Sequence, residues 1–262
     1  MKKLLLTTFL LVFGVVGITN VYAINITIPD LVSSGTGWYG PQENQEVEPG
    51  AVTGQVWDLE KFIQQNNTLT IQSGFNLKEG YYDENWHRTW YSGDIFIDVT
   101  GDVKYGPAAD GTGSGESIIS NANFLYDYVF DMDFPNNTYT VYALNSSSLV
   151  SVFFSQFEEA NPWRYYSGGT TIGSGIIGYP GNFSDSEGTH YLISVNLEKL
   201  NLPVGTEFTS HFTYECGNDN LMGRSIVVPE PATIFLLGSG LLGLAGLGRK
   251  KLFRKFGKEH SA

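Results

Sequence analysis

Pro231 to Gly248 is a run of eighteen residues without a charge, followed at once by Arg249, Lys250 and Lys251, with Arg254, Lys255 and Lys258 beyond. Wound as a helix, such a run rises about 27 Å, enough to cross the hydrocarbon core of a bilayer. It holds five glycines and no polar stripe, so it lacks the one-sided pattern of a helix packed on a soluble core. Cations at the end of a span favour the cytoplasmic side. The chain is therefore expected to meet the membrane here through one transmembrane helix, 231–248, with everything before it on the other side.

The N-terminus agrees with that topology. Lys2 and Lys3 precede the apolar run Leu4 to Ile18, and Val21-Tyr22-Ala23 places small residues where signal peptidase reads them. This pattern predicts a signal peptide over 1–23, cleaved after Ala23. Residues 24–227 are then the exported domain, long enough for one β domain with a sizeable core, and 228–262 the tail. Without the two ends the chain keeps seven Lys and Arg against twenty-five Asp and Glu, a net charge of −18. Such a surface repels phosphate backbones, which excludes nucleic acid as a partner. Cys216 is the only cysteine, so no intrachain disulfide can form, and a buried thiol is expected.

The exported part reads as strands punctuated by Gly, Pro, Asn, Asp and Ser. Strands are predicted at Ile24 to Ile28, Thr68 to Gln72, Gly93 to Val99, Tyr126 to Phe134, Tyr139 to Leu144, Ser148 to Phe154, Tyr191 to Leu197 and Phe208 to Cys216. The clearest is Tyr126 to Phe134. Tyr126, Tyr128, Phe130, Met132 and Phe134 share one face, with Asp127, Val129, Asp131 and Asp133 opposite. That predicts a half-buried strand with an acidic outer surface. Pro135-Asn136-Asn137 reads as a hairpin connection to the next strand. Ser33 to Gly50 reads as a loop, and only Asp58 to Gln65 and Glu198 to Leu200 look helical. The expected fold is all-β, an antiparallel β-sandwich of jelly-roll type.

The order Pro229-Glu230-Pro231, Gly/Leu-rich span, Arg/Lys cluster resembles the PEP-CTERM sorting domain of bacterial proteins processed by exosortases. The resemblance implies that Pro229, Glu230 and Pro231 are a recognition signal, read by an exosortase of the membrane. It implies a transient anchor in the inner membrane, then release to the cell surface or beyond. It also implies an association with exopolysaccharide. Gly93 to Val99 and His211 to Asp219 are similar to segments recurrent in exosortase-dependent surface proteins; they carry no catalytic residues.

Three kinds of site are written into the exported part. Asp94, Asp98 and Asp102 recur every fourth residue, near the oxygen-rich loop Asp110 to Glu116. Calcium takes six to eight oxygens from such residues, although position twelve of an EF-hand register would be Asn121. A solvated acidic face is the competing reading. Second, Tyr81 to Tyr91 and Trp163 to Tyr166 cluster aromatic rings beside Asp, Asn and Arg, the surface a glycan stacks on, with Trp86, Trp90, Tyr91 and Trp163 as platforms. Packing of those rings in a core is the alternative. Third, catalysis has little support. His211 and Cys216 fall on opposite strand faces, no nucleophile elbow or phosphate loop is present, and no pair among twenty-five carboxylates stands out. A non-enzymatic protein is expected. The leading expectation is a structural or adhesive protein of the cell surface or extracellular matrix, in contact with exopolysaccharide. A carbohydrate-binding module, with calcium as its cation, is the alternative, and a secreted glycan hydrolase the third reading.

Overall fold

The computed structural model describes residues 23–28, 59–104, 115–154, 162–186, 188–215 and 220–228. Residues 1–22 of the signal peptide, the loop over 33–50, the oxygen-rich loop before Gly115, Cys216, Pro229 to Pro231 and the apolar span all lie outside the described residues. Within them no helix is long and apolar enough to cross a membrane.

The described chain is all-β. A five-stranded sheet runs in the order β1 (Ile24–Asn25), β2 (Leu59–Gln65), β3 (Thr68–Ser73), β14 (Thr189–Asn196), β13 (Asn182–Ser184). A six-stranded sheet follows the order β12 (Thr170–Ile176), β9 (Thr138–Ala143), β8 (Tyr128–Asp133), β6 (Ile95–Asp98), β15 (Glu207–Thr213), β16 (Asn220–Ile226). A third sheet joins β11 (Arg164–Ser167), β10 (Leu149–Phe154) and β7 (Gly115–Ser120), and β4 (Tyr81–Asp83) pairs with β5 (Arg88–Trp90). Every pairing is antiparallel.

Two buried clusters lie on opposite faces of the six-stranded sheet. Alternation along β6 shows this directly: Ile95 and Ile97 belong to one cluster, Phe96 to the other. The first cluster joins Phe62, Leu69, Ile71, Ile193 and Val195 of the five-stranded sheet to Phe130, Val141, Phe208 and Phe212 of the six-stranded one. The second joins Val129 and Met222 to Val150 and Val152 of the three-stranded sheet. Each such side chain contributes about 1.5–3 kcal/mol when taken fully from water.

That second cluster corrects one expectation. The face of β8 read as an acidic outer surface buries Val129 completely and leaves Asp131 half-buried. Tyr126 also departs from its neighbours, packing in the second cluster while Tyr128 and Phe130 pack in the first. The cause is local. Leu125 sits at φ 67°, which turns the chain before β8 begins. The Asn121 side chain then stands in for a strand neighbour, accepting from the Tyr126 N–H at 3.2 Å and donating to the Tyr126 carbonyl at 2.8 Å.

Asp58 to Gln65 is a second correction. Leu59, Phe62 and Ile63 have helical spacing, yet Leu59–Gln65 is strand β2, paired with β3 across a tight turn at Asn66-Asn67. Asn66 takes the left-handed conformation, φ 54°, which asparagine tolerates. A register shift between Leu59 and Lys61 breaks the alternation and produces the helix-like spacing. Glu198 to Leu200 does form a short helix, the 3-10 turn Leu197–Leu200, and Phe134 to Asn137 does connect β8 to β9 as a hairpin.

Candidate functional site

The aromatic run from Tyr81 to Tyr91 folds as the β4–β5 hairpin, and the fold holds it at both ends. At its entrance Asn76 Oδ1 accepts from the Lys78 and Glu79 N–H groups at 3.2 Å, and the Gly80 N–H donates to the Asn76 carbonyl at 2.9 Å. Gly80 has φ 78°, and a Cβ there would lie 2.4 Å from the Trp90 carbonyl oxygen. Only glycine serves at that point. At the tip Asp83 Oδ1 accepts from the Asn85 N–H at 2.8 Å, shaping the turn that presents Trp86.

The hairpin's base is a charged anchor. The Arg88 guanidinium forms an ion pair with the carboxylate of Glu215 and lies over the Trp90 ring, 4.1 Å from its centroid. Glu215 also donates its N–H to the Tyr91 carbonyl at 3.0 Å. Burial pushes the Glu215 carboxyl up, and the Arg88 charge and the Tyr91 N–H oppose that rise. Trp86 meets Trp90 edge to face, with centroids 6.1 Å apart.

These contacts sort the expected glycan platforms. Trp86 is 66% exposed and Tyr91 54%, with Tyr82 beside them at 50%. Trp90 and Trp163 are buried, so neither can stack on a ligand. Trp90 is the pad under Arg88. Trp163 is fixed through its backbone, its N–H donating to the Ser151 carbonyl and its carbonyl accepting from the Asp94 N–H at 2.7 Å. In the second run Tyr165 stacks on Tyr142 at 4.3 Å, and Tyr166 is exposed.

The three aspartates expected to hold calcium do structural work. Asp94 is buried, accepting from the Met132 N–H at 2.8 Å and the Tyr165 N–H at 2.7 Å. Asp98 is buried too and accepts from the Thr100 and Gly101 N–H groups, at 3.3 Å and 3.1 Å. Exposed Asp102 accepts from the Thr100 hydroxyl at 2.7 Å. Among the described residues no group of three or more His, Cys, Asp or Glu side chains is disposed to hold a metal ion. Asp98 and Asp102 do meet, together with Asp127, around the Thr100 hydroxyl, at 3.0, 2.7 and 3.0 Å; Asp94 is turned away to the N–H groups of Met132 and Tyr165.

One constellation carried no sequence signal. His190 Nδ1 meets Glu60, its Nε2 meets Asp185 at 2.9 Å, and its ring stacks on Phe183 at 4.6 Å. Burial acts to lower its pKa; the two carboxylates outweigh this and raise it. The residues come from β2, β14 and the turn between β13 and β14, so only strand pairing unites them. His211 is the opposite case. It is buried against Tyr126, with Nε2 3.1 Å from the Pro162 carbonyl oxygen, and burial lowers its pKa to about 3. It is a neutral core residue.

Residues 227–250 match the family model of the PEP-CTERM protein-sorting motif. The chain is thus an exported protein, processed by exosortase and sorted to the cell envelope or surface. No curated protein and no solved structure matches it.

Proposed function

We propose that this is a non-enzymatic, adhesive or structural protein of the cell surface or extracellular matrix that contacts exopolysaccharide. Its domain over 24–227 is a layered antiparallel β-sandwich, delivered by the signal peptide 1–23. The helix 231–248 holds it in the inner membrane until an exosortase reads Pro229-Glu230-Pro231. The observation that carries the adhesive reading is the β4–β5 hairpin, which displays Trp86, Tyr82 and Tyr91 to solvent on a base fastened by Arg88 and Glu215. Exposed rings on a fixed frame suit the apolar faces of sugar rings, because little conformational freedom is lost on stacking.

A test is retention of the released protein in isolated exopolysaccharide from producing cells. Trp86→Ala with Tyr91→Ala should cut retention about tenfold, on the order of 0.5–1.5 kcal/mol for each ring. Both side chains are exposed, so thermal stability should stay unchanged. Full retention by that double variant would remove the hairpin from the contact, and absence of wild-type retention would sink the adhesive reading.

A further inference from the structure

A groove of about 580 Å³ opens elsewhere on the domain, between the turn after β3, the β8–β9 turn and the crossing from β12 to β13. That volume falls in the range of sites for small organic ligands. Its chemistry is layered. Leu77 and Ile177, both buried, give it an apolar floor. Tyr179 and Tyr191 supply rings, and the Lys78 ammonium lies 5.0 Å from the centroid of Tyr179. Three asparagines, Asn76, Asn137 and Asn182, line the same space. The Asn76 oxygen is committed to two backbone N–H groups, which holds that side chain in place. Asn137 Oδ1 is shielded from solvent and has no hydrogen-bond partner among the described residues.

We infer that this groove binds an uncharged oligosaccharide. Carboxamides both donate and accept, so they match vicinal hydroxyls, which do the same. Tyrosine rings and an aliphatic floor match the C–H faces of the same sugar. Charge favours a neutral polymer over a polyuronate. Lys78 and Glu79 offset one another in the groove, and the exported part as a whole carries −18. The inference rests on the polysaccharide reading above and assigns that contact to a second place, apart from the Trp86 hairpin.

The test is calorimetric titration of the full-length chain with cellohexaose, with chitohexaose, and with a guluronate hexamer as the charged comparison. Tyr179→Ala and Asn182→Ala are the groove variants, and Trp86→Ala is the hairpin variant. Tyr179 and Asn182 are exposed, so folding is preserved in both, and an unchanged melting temperature verifies it. The expected result is saturable binding of an uncharged hexamer, weakened about tenfold or more by Tyr179→Ala and little changed by Trp86→Ala. Binding of the guluronate alone, binding indifferent to both groove variants, or no binding at all overturns the groove. Retention in exopolysaccharide that survives Tyr179→Ala and fails with Trp86→Ala would overturn the groove while leaving the adhesive reading intact.

Discussion

Asp94→Asn is the substitution whose outcome follows most directly from the structure. Asp94 precedes β6, and its carboxylate takes the Met132 N–H of β8 on one oxygen and the Tyr165 N–H of β11 on the other. It therefore ties the six-stranded sheet to the three-stranded one. Burial raises its pKa from 3.8 to about 8, with help from the charge of Asp131; the two N–H donors and Arg164 oppose the rise. In the unfolded chain the same group titrates near 3.9. The folded state thus holds the proton more tightly, and its stabilising effect is complete below about pH 4 and is lost as pH climbs through about 8. Roughly four pK units at about 1.4 kcal/mol each set a ceiling of about 6 kcal/mol on that loss. Asparagine cannot ionise, and one of its two side-chain groups would face an N–H donor, so the variant forfeits a buried hydrogen bond worth about 1–3 kcal/mol. The two curves should cross: the variant is the less stable protein at pH 5, and the gap closes or reverses by pH 8. Denaturant unfolding followed by the fluorescence of buried Trp90 and Trp163 measures this. The reasoning fails if wild-type stability is level between pH 5 and pH 8, or if the variant keeps the wild-type slope.

Other consequences are as definite. Glu60→Gln, removing one partner of His190, should cost about 1–2 kcal/mol at pH 6; the His190 pKa is raised, so that contribution is lost above it, and the difference should shrink at pH 9. An imidazole NMR titration of His190 reads the shift itself. Gly93→Ala places a Cβ 2.2 Å from the Trp163 carbonyl oxygen and 2.4 Å from that of Thr213, and backbone on both sides cannot yield; a loss of about 3 kcal/mol or more in denaturant unfolding is expected. Gly101→Ala, with nothing within 4 Å but φ 77°, should cost only about 1–2 kcal/mol. Arg88→Ala leaves Glu215 buried without its counter-charge; discounted for the partial exposure of Arg88, the loss should be about 1–3 kcal/mol, with faster quenching of Trp86 as the hairpin loosens. Alanines at Pro229, Glu230 and Pro231 should leave an unprocessed, membrane-retained precursor on immunoblots of cell fractions.

Local pattern made the regular strands legible. Tyr139 to Leu144 and Tyr191 to Leu197 alternate cleanly and differ from β9 and β14 by a residue or two at the ends. Strands that carry irregularities were invisible. β2 has a bulge, β12 contains Gly173 and Gly175, and β16 has Gly223 at its centre. Each glycine reads as a breaker, yet in the fold two of the three make room for another strand's side chain. Gly175 leaves space for Tyr139, and Gly223 for Ser210 and Phe62.

The candidate site divides along the same line. That Tyr81 to Tyr91 is an aromatic surface with turn-forming residues was evident, as was the sorting tail, because both are encoded by contiguous residues. Which rings face solvent was not. Trp86 and Trp90 are equivalent in sequence, and only Glu215, brought across from the end of β15, draws Arg88 down over one of them. Asp94 and Asp98 looked like ligands because a strand repeats every second residue; neighbouring strands made Asp94 an acceptor for backbone N–H groups, and the turn after β6 did the same for Asp98. Glu60, Asp185 and His190 meet through the pairing of β2, β3, β14 and β13. The sequence by itself determined the all-β class, the export and sorting signal and the chemical character of each stretch, since these depend on short-range periodicity and composition. The tertiary structure alone decided which polar and aromatic side chains are buried, because burial and partnership depend on residues far apart in the chain.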